Sequence, residues 1–108
     1  MSELPEIINA YLAAADAQEG EAMAACFSAD GYVVDEGNTY RGHDDIVGWR
    51  KLTASKWTYT STVTGRESVS DREHLAFVHL EGDFPGGTAD LTYRFTIDAD
   101  KIVTLTIG

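Results

Sequence analysis

Asp35 is the residue whose type and position best suit chemistry. It lies near the end of the β-branched run Tyr32–Glu36, whose alternation places Val33 and Asp35 on the same face of a predicted strand. Burial in an apolar face raises the pKa of a carboxyl group, which makes its ionised form a usable base near neutral pH. The alternative stays open that Asp35 is solvated at the strand end or caps the turn that follows it.

Two tyrosines have the chemistry to assist such a base. Tyr11 falls on the apolar stripe of a predicted first helix, and Tyr93 on the inward face of a strictly alternating strand over residues 88–98. A buried tyrosine hydroxyl needs a partner or a pocket, and it can donate a hydrogen bond to a negatively charged oxygen. Each residue is equally consistent with a core tyrosine whose hydroxyl is satisfied by the protein.

Hydrophobic periodicity predicts three helices, two before the strand that carries Asp35 and one after it. They are expected over residues 4–15, 21–27 and 43–52, with Ser2 capping the first and Arg50 in the last turn of the third. Further strands are expected over residues 57–69, 74–84, 88–98 and 102–107. Residues 28–31 have turn chemistry and residues 37–39 are expected to form a loop.

This order of elements predicts an α+β fold. Helices that precede a run of strands pack on one face of an antiparallel sheet. A strongly curved sheet around three N-terminal helices encloses a cavity at its open end, which is a favourable place for a small ligand. Gly65 and Gly82 lie inside predicted strands and are candidates for the bulges that such curvature needs.

Composition limits the classes of function. The 108 residues are expected to form a single domain, residues 1–108, and their net charge of −10 disfavours nucleic acid and membrane surfaces as partners. Cys26 is the one cysteine, so no internal disulfide is expected. The N-terminus lacks the pattern of a signal peptide and no apolar run approaches a membrane span, which favours a cytoplasmic protein. His74 and His79 fall on different faces of one strand, and no histidine pair has metal-ligand spacing, so no metal or other cofactor is expected.

Several short motifs resemble those of one superfamily. They are Ala-Tyr11-Leu with Asp16 in the first helix, Phe27-Ser-Ala-Asp30-Gly31 before the first strand, Asp35 near its end, Tyr40-Arg-Gly42-His-Asp-Asp-Ile46 at the third helix, and Asp98-Ala-Asp-Lys101-Ile102 in the last hairpin. With this layout the whole chain resembles the SnoaL-like and ketosteroid isomerase-like superfamily, which has the cone-shaped fold of nuclear transport factor 2. The superfamily includes isomerases, polyketide cyclases, dehydratases, epoxide hydrolases and non-catalytic binders, so the fold does not define the function.

The resemblance implies roles for three residues. In the isomerases, a tyrosine of the first helix and an aspartate of the first strand meet in the cavity, and Tyr11 and Asp35 occupy the matching places. The aspartate moves a proton beside a ketone, while the tyrosine and a protonated carboxylic acid on a later strand stabilise the enolate oxygen. At the place of that later acid this chain has Tyr93, whose hydroxyl can also donate to an oxyanion. The epoxide hydrolases would need an Asp–Arg–Asp set, which cannot be assembled because Arg94 is predicted to face outward.

Together with these residues, the resemblance implies a cofactor-free acid–base enzyme, an isomerase, cyclase or dehydratase, that acts on a hydrophobic cyclic carbonyl compound. The residues expected to shape the cavity are Phe27, Trp49, Trp57, Tyr59 and Val78. The alternative is a non-catalytic small-molecule-binding or dimerisation module of the same fold, and a protein-binding domain is a third. Leu75, Phe77 and His79 form an outward apolar strip that needs covering. In the superfamily that this chain resembles, that sheet face commonly packs against a second copy, so the resemblance implies a homodimer through the outer sheet face.

Overall fold

The computed structural model describes residues 5–17, 19–56 and 58–108, and confirms the α+β architecture of three helices packed on a curved, unclosed sheet. The helices are α1 (Glu6–Asp16), α2 (Gly20–Ala25) and α3 (His43–Lys56). The strands are β1 (Phe27–Asp35), β2 (Asn38–Arg41), β3 (Tyr59–Ser68), β4 (Glu73–Gly82), β5 (Thr88–Asp98) and β6 (Lys101–Ile107). They form one six-stranded sheet in the order β2-β1-β6-β5-β4-β3.

The helix α1 buries one stripe against the sheet. Ile8, Tyr11 and Ala14 are its buried residues, at the spacing of three that brings side chains to one helix face. Glu6 lies in the first turn, where its charge suits the helix dipole. Pro5 precedes the helix without a side-chain cap, and the predicted cap Ser2 lies outside the described residues.

The prediction of a loop at residues 37–39 was wrong, because the chain forms a hairpin there. Glu36 and Gly37 have φ values of 52° and 79°, the left-handed pair of a two-residue turn whose twist matches that of the flanking strands. Asn38 therefore pairs with Asp35, and Tyr40 pairs with Val33. The hairpin adds a sixth strand and brings Tyr40 beside the strand that carries Asp35.

The expected turn at residues 28–31 also proved to be part of a strand. Phe27 pairs with Ile102 and Tyr32 with Thr104, so the residues between them form a bulge within β1. At Gly31 a Cβ atom would lie 3.0 Å from the carbonyl oxygen of Ile102, which indicates that the close approach of β6 favours glycine there.

The pairing of β1 with β6 is parallel, whereas a purely antiparallel sheet was expected. Parallel neighbours need a long crossover connection. Here β2, α3 and the meander β3-β4-β5 lie between the two strands in sequence, and β6 then pairs beside β1. Tyr93 of β5 pairs with Ile107 of β6, and Ile107 pairs with Asp35 of β1. This register places the three residues in one row across the sheet.

The sheet is bent where a glycine was expected to bend it. The pairing of β3 with β4 shifts register between Val63 and Gly65, which is the signature of a bulge. Gly82 has a different reason to be glycine, because a Cβ atom there would overlap the backbone of Thr58 and Tyr59. In the part of the chain described, no helix is long and apolar enough to cross a membrane.

The outer sheet face is more polar than the predicted apolar strip. Leu75 is buried at 8% exposure, while Phe77 is 36% exposed. Nδ1 of His79 lies 2.7 Å from Oδ1 of Asp90, because the register of β4 and β5 pairs these two residues. Arg94 faces outward as predicted and pairs with Leu75. Phe77 is thus the exposed apolar residue of the strip, and dimerisation through this face stays a prediction.

Candidate active site

A cavity of about 610 Å³ opens between the helices and the concave face of the sheet. Its volume is in the range of sites that enclose a drug-sized molecule. Aliphatic and aromatic side chains form much of the wall, among them Met23, Leu80, Phe84, Leu91 and Ile107. The polar side chains that reach it include Tyr11, Asp35, Tyr40, Arg50, Tyr59, Ser61 and Tyr93. An apolar wall with a few convergent polar groups is typical of a small-molecule site.

The structure brings most of the predicted site residues to this cavity. Asp35, Tyr11 and Tyr93 line it, together with Trp49 and Tyr59.

Two other predicted wall residues do not line the cavity. Phe27 and Val78 are buried in the hydrophobic core, at 1% and 3% exposure. The Phe27 ring packs edge-on against that of Tyr11, with centroids 5.8 Å apart, so it supports the cavity from beneath. Trp57 lies outside the described residues.

Asp35 is a partly buried carboxylate with a fixed partner. The indole Nε1 of Trp49 donates a hydrogen bond of 3.0 Å to its Oδ2 atom. Burial raises the pKa of Asp35, the hydrogen bond from Trp49 opposes that rise, and the neighbouring charge of Glu36 adds to it. The net result is a raised pKa, which gives the ionised carboxylate more basicity than an exposed aspartate has.

The two tyrosines are held as hydrogen-bond donors. Burial raises the pKa of Tyr11 well above its ordinary value, and the ring lies edge-on to Phe27 and Phe95. Burial also raises the pKa of Tyr93 strongly. The charge of Asp35 contributes to both rises, which indicates that all three groups face the same part of the cavity. Both hydroxyls therefore stay protonated at ordinary pH.

The register of β1, β6 and β5 explains why Asp35 and Tyr93 face the same cavity. Ile107 lies between them on β6, and residues paired in one row project to the same face. Two strand spacings separate their backbones by roughly 10 Å. Asp35 and Tyr93 therefore face the cavity from either side of Ile107, which also lines it.

Arg50 is the site residue that the sequence reasoning missed. It was predicted in the last turn of a helix ending near residue 52, but α3 continues to Lys56, so Arg50 lies within the helix. Its residue exposure is 7%, and Nη1 donates a hydrogen bond of 2.6 Å to the Tyr59 hydroxyl. A signal was present, because Ile46, Trp49 and Arg50 follow the i, i+3, i+4 spacing of one helix face.

Tyr40 is a second residue that was missed. It lines the cavity, and its ring lies 6.2 Å from that of Trp49 between centroids. The reason is the hairpin, since a residue assigned to a loop edge has no predicted face.

In the described part of the chain, no three His, Cys, Asp or Glu side chains are grouped to hold a metal ion.

The raised pKa of Asp35 predicts a pH-dependent gain in stability for Asp35→Asn. A carboxyl group with a raised pKa in the folded state stabilises the fold most below its unfolded value of 3.8, and this contribution is lost as the pH rises through the folded value. At pH 7 the wild type therefore carries the cost of a partly buried charge that the amide lacks. We expect the variant to unfold at a higher temperature than wild type at pH 7, with the difference shrinking towards pH 4. Thermal unfolding followed by circular dichroism at both pH values measures it, and a difference independent of pH would contradict the prediction.

The chain is similar to proteins of known structure. A scan against protein-family models and a search of curated proteins both find no match. Among solved structures, a Sinorhizobium meliloti protein proposed to be a polyketide cyclase is 30% identical, with a TM-score of 0.91. The match covers 97% of this chain and 95% of that one. The chain belongs to the SnoaL-like, ketosteroid isomerase-like superfamily with the nuclear transport factor 2-like fold, as its motifs predicted.

Two further structures share the fold and contain small molecules. A Catenulispora acidiphila protein with a ketosteroid isomerase-like fold, solved in complex with trimethylamine, is 22% identical over 98% of this chain and 86% of its own, with a TM-score of 0.87. TerC, co-crystallised with polyporic acid, is 16% identical over 95% of this chain and 88% of its own, with a TM-score of 0.83. At these identities the likeness shows the fold alone.

Proposed function

We propose that the protein is a small-molecule enzyme that uses cofactor-free general acid–base chemistry on a hydrophobic cyclic carbonyl compound. One observation carries the proposal. A carboxylate with a raised pKa, Asp35, and two tyrosines held in their protonated form, Tyr11 and Tyr93, line the same largely apolar cavity. This combination of base and oxyanion donors suits proton transfer beside a carbonyl group.

The proposed reaction begins with proton removal from the carbon next to the carbonyl. The ionised Asp35 takes the proton, the electron pair of the C–H bond forms the C=C bond, and the π pair of the carbonyl moves to its oxygen to form an enolate. Tyr11 and Tyr93 donate hydrogen bonds to that oxygen, where the charge develops. The protonated Asp35 then returns the proton to another carbon in an isomerase, or to a departing hydroxyl group in a dehydratase. Trp49 holds the carboxylate in position through Oδ2.

The alternative function is a non-catalytic module that binds a small molecule. The hydrogen bond from Trp49 favours it, because a purely structural aspartate would be satisfied in the same way. The solved structures that contain trimethylamine and polyporic acid support ligand binding for either function.

Phenols and cyclic ketones of matched skeleton distinguish the two functions, because a phenolate resembles an enolate. For an enzyme we expect the phenol to bind about 10-fold or more tightly than the ketone, since the site is built for the charged oxygen. Asp35→Asn should change the affinity for the phenol and spare the ketone. Tryptophan fluorescence and thermal shift measure both. Equal binding of phenol and ketone by the wild type would favour the non-catalytic module.

We also propose that the protein forms a homodimer through the outer sheet face, on which Phe77 is 36% exposed. Arg94 and Glu73 lie 2.7 Å apart on the same sheet, and such charged residues would form the rim of the interface. Phe77→Glu should convert a dimer to a monomer, while Val69→Glu, at a residue exposed outside the strands, should not. Light scattering after size-exclusion chromatography gives the mass, and a wild-type monomer would contradict the proposal.

A further inference from the structure

The side chain of Arg50 is a buried cation without a protein counter-charge. The residue is 7% exposed and lines the cavity. Among the described residues, the Tyr59 hydroxyl accepts its hydrogen bond, at 2.6 Å from Nη1, and the buried Nε atom has no partner. Within the same residues, no carboxylate oxygen lies within 4.0 Å of the guanidinium nitrogens.

A buried guanidinium group with a free N–H donor and no counter-charge is suited to bind an anion. It carries a positive charge and five N–H donors in a planar fork that matches a carboxylate. Removing such a charge from water without a partner is unfavourable, so a buried arginine is normally paired. Here the missing partner would have to come from the cavity that Arg50 lines.

The base and the cation occupy separate parts of the cavity. Trp49 and Arg50 are neighbours on α3, yet Trp49 bonds to Asp35 whereas Arg50 bonds to Tyr59. Arg50 lowers the pKa of Tyr93 and is not among the groups that shift the pKa of Asp35. The pKa values of Tyr11 and Tyr93 respond to both Arg50 and Asp35, so both hydroxyls face the part of the cavity between the two charges.

We propose that the ligand of this cavity is an organic acid, a hydrophobic ring compound whose anionic oxygen group, such as a carboxylate, binds to Arg50 beside Tyr59. Given the function proposed above, the carbonyl end of the same molecule would reach Asp35. The chain as a whole has a net charge of −10 and repels anions, so selectivity for an acid has to come from this local cation.

A purely structural role for Arg50 would use a different part of its side chain. A Cβ atom placed on Gly20 would lie 3.5 Å from Cγ of Arg50, so the methylene stem packs against the start of α2. Methionine keeps an unbranched stem and lacks the charge, whereas lysine keeps the charge and lacks the fork. These two variants separate packing from anion binding.

The test compares 2-naphthoate with 2-naphthamide, which share a skeleton and differ in charge, by isothermal titration calorimetry on the full chain. The wild type should bind the acid about 10-fold or more tightly than the amide, the size of effect expected for charge-assisted hydrogen bonds. Arg50→Met should lose this preference and keep its affinity for the amide, and Arg50→Lys should retain part of the preference. Equal affinities in the wild type, or a preference that persists in Arg50→Met, would overturn the inference.

Equal affinities in the wild type overturn the inference without any variant, and if Arg50→Met is unstable, the reduced preference of Arg50→Lys tests whether Arg50 is the anion site. The measurement is also independent of the acid–base function, because Asp35→Asn should still prefer the acid. A preference for 2-naphthoate without a preference for phenols would support the anion site and count against the enzyme. A preference for phenols without one for 2-naphthoate would overturn the anion site alone.

Discussion

Replacing Asp35 by asparagine is expected to slow α-proton exchange of a bound cyclic ketone by about 10²- to 10⁴-fold, the usual contribution of a positioned general base. The amide can still accept the Trp49 hydrogen bond but cannot take a proton from carbon. Exchange needs no knowledge of the natural substrate, since enolisation of any ketone that fits the cavity replaces α-hydrogen with deuterium. Proton nuclear magnetic resonance in D₂O follows it for a panel that includes 2-tetralone.

Glu36→Gln is the matched control for this prediction. Glu36 is the neighbouring residue and lines the same cavity, but its side chain is exposed and its turn conformation is compatible with glutamine. Above the pH at which Asp35 ionises, it should leave the exchange rate within a few-fold of wild type, while the midpoint of the pH profile should move down because the Glu36 charge contributes to the raised pKa of Asp35. In the wild type the rate should rise with pH as Asp35 ionises, and the raised pKa of that group sets the midpoint above that of an exposed aspartate. If the wild type exchanges ketones faster than buffer and Asp35→Asn does so equally, Asp35 is not the base.

Tyr93→Phe is expected to slow the same exchange by about 10²- to 10³-fold, the usual effect of losing one oxyanion donor. The hydroxyl stabilises charge only as the enolate forms, so the variant should bind the ketone normally and bind a phenolate-like ligand less tightly. Tyr93 is not among the groups that shift the pKa of Asp35, so the midpoint of the pH profile should stay in place.

Tyr32→Phe serves as the control for Tyr93→Phe. Tyr32 is a partly buried tyrosine on β1 whose ring contacts the Arg41 guanidinium, 4.6 Å from the ring centroid, and it is not among the residues that line the cavity. Removal of its hydroxyl should not change the exchange rate. A Tyr93→Phe variant with wild-type exchange would leave Tyr11 as the remaining candidate donor for the enolate oxygen.

Much of this architecture was predictable because it depends on local periodicity. The alternation of residues 88–98 identified β5 with the bounds that the structure has, and it assigned Tyr93 inward and Arg94 outward. Helical spacing placed Tyr11 on the buried stripe of α1. A period of two or of 3.6 residues decides which side chains share a face, and that information is contained in a short stretch of chain.

The failures concern features that local periodicity does not contain. The turn at Glu36 and Gly37 depends on backbone twist and carries no Asn-Gly or Gly-Gly signal, so β2 was taken for a loop. Leu75 was assigned to an outward apolar strip, but it is buried at 8% exposure. It lies opposite Arg94 because of the register between two strands, which local periodicity does not contain.

By itself, the sequence determined the α+β class, the superfamily, and the inward faces that carry Tyr11, Asp35 and Tyr93. Only the tertiary structure decided that β6 lies between β1 and β5, which brings Asp35 and Tyr93 into one row through Ile107. It also decided that Arg50 is buried beside Tyr59 without a carboxylate partner among the described residues. The physical reason is that a face is set by neighbours in sequence, whereas pairing, burial and charge compensation are set by residues that come together only when the chain is folded.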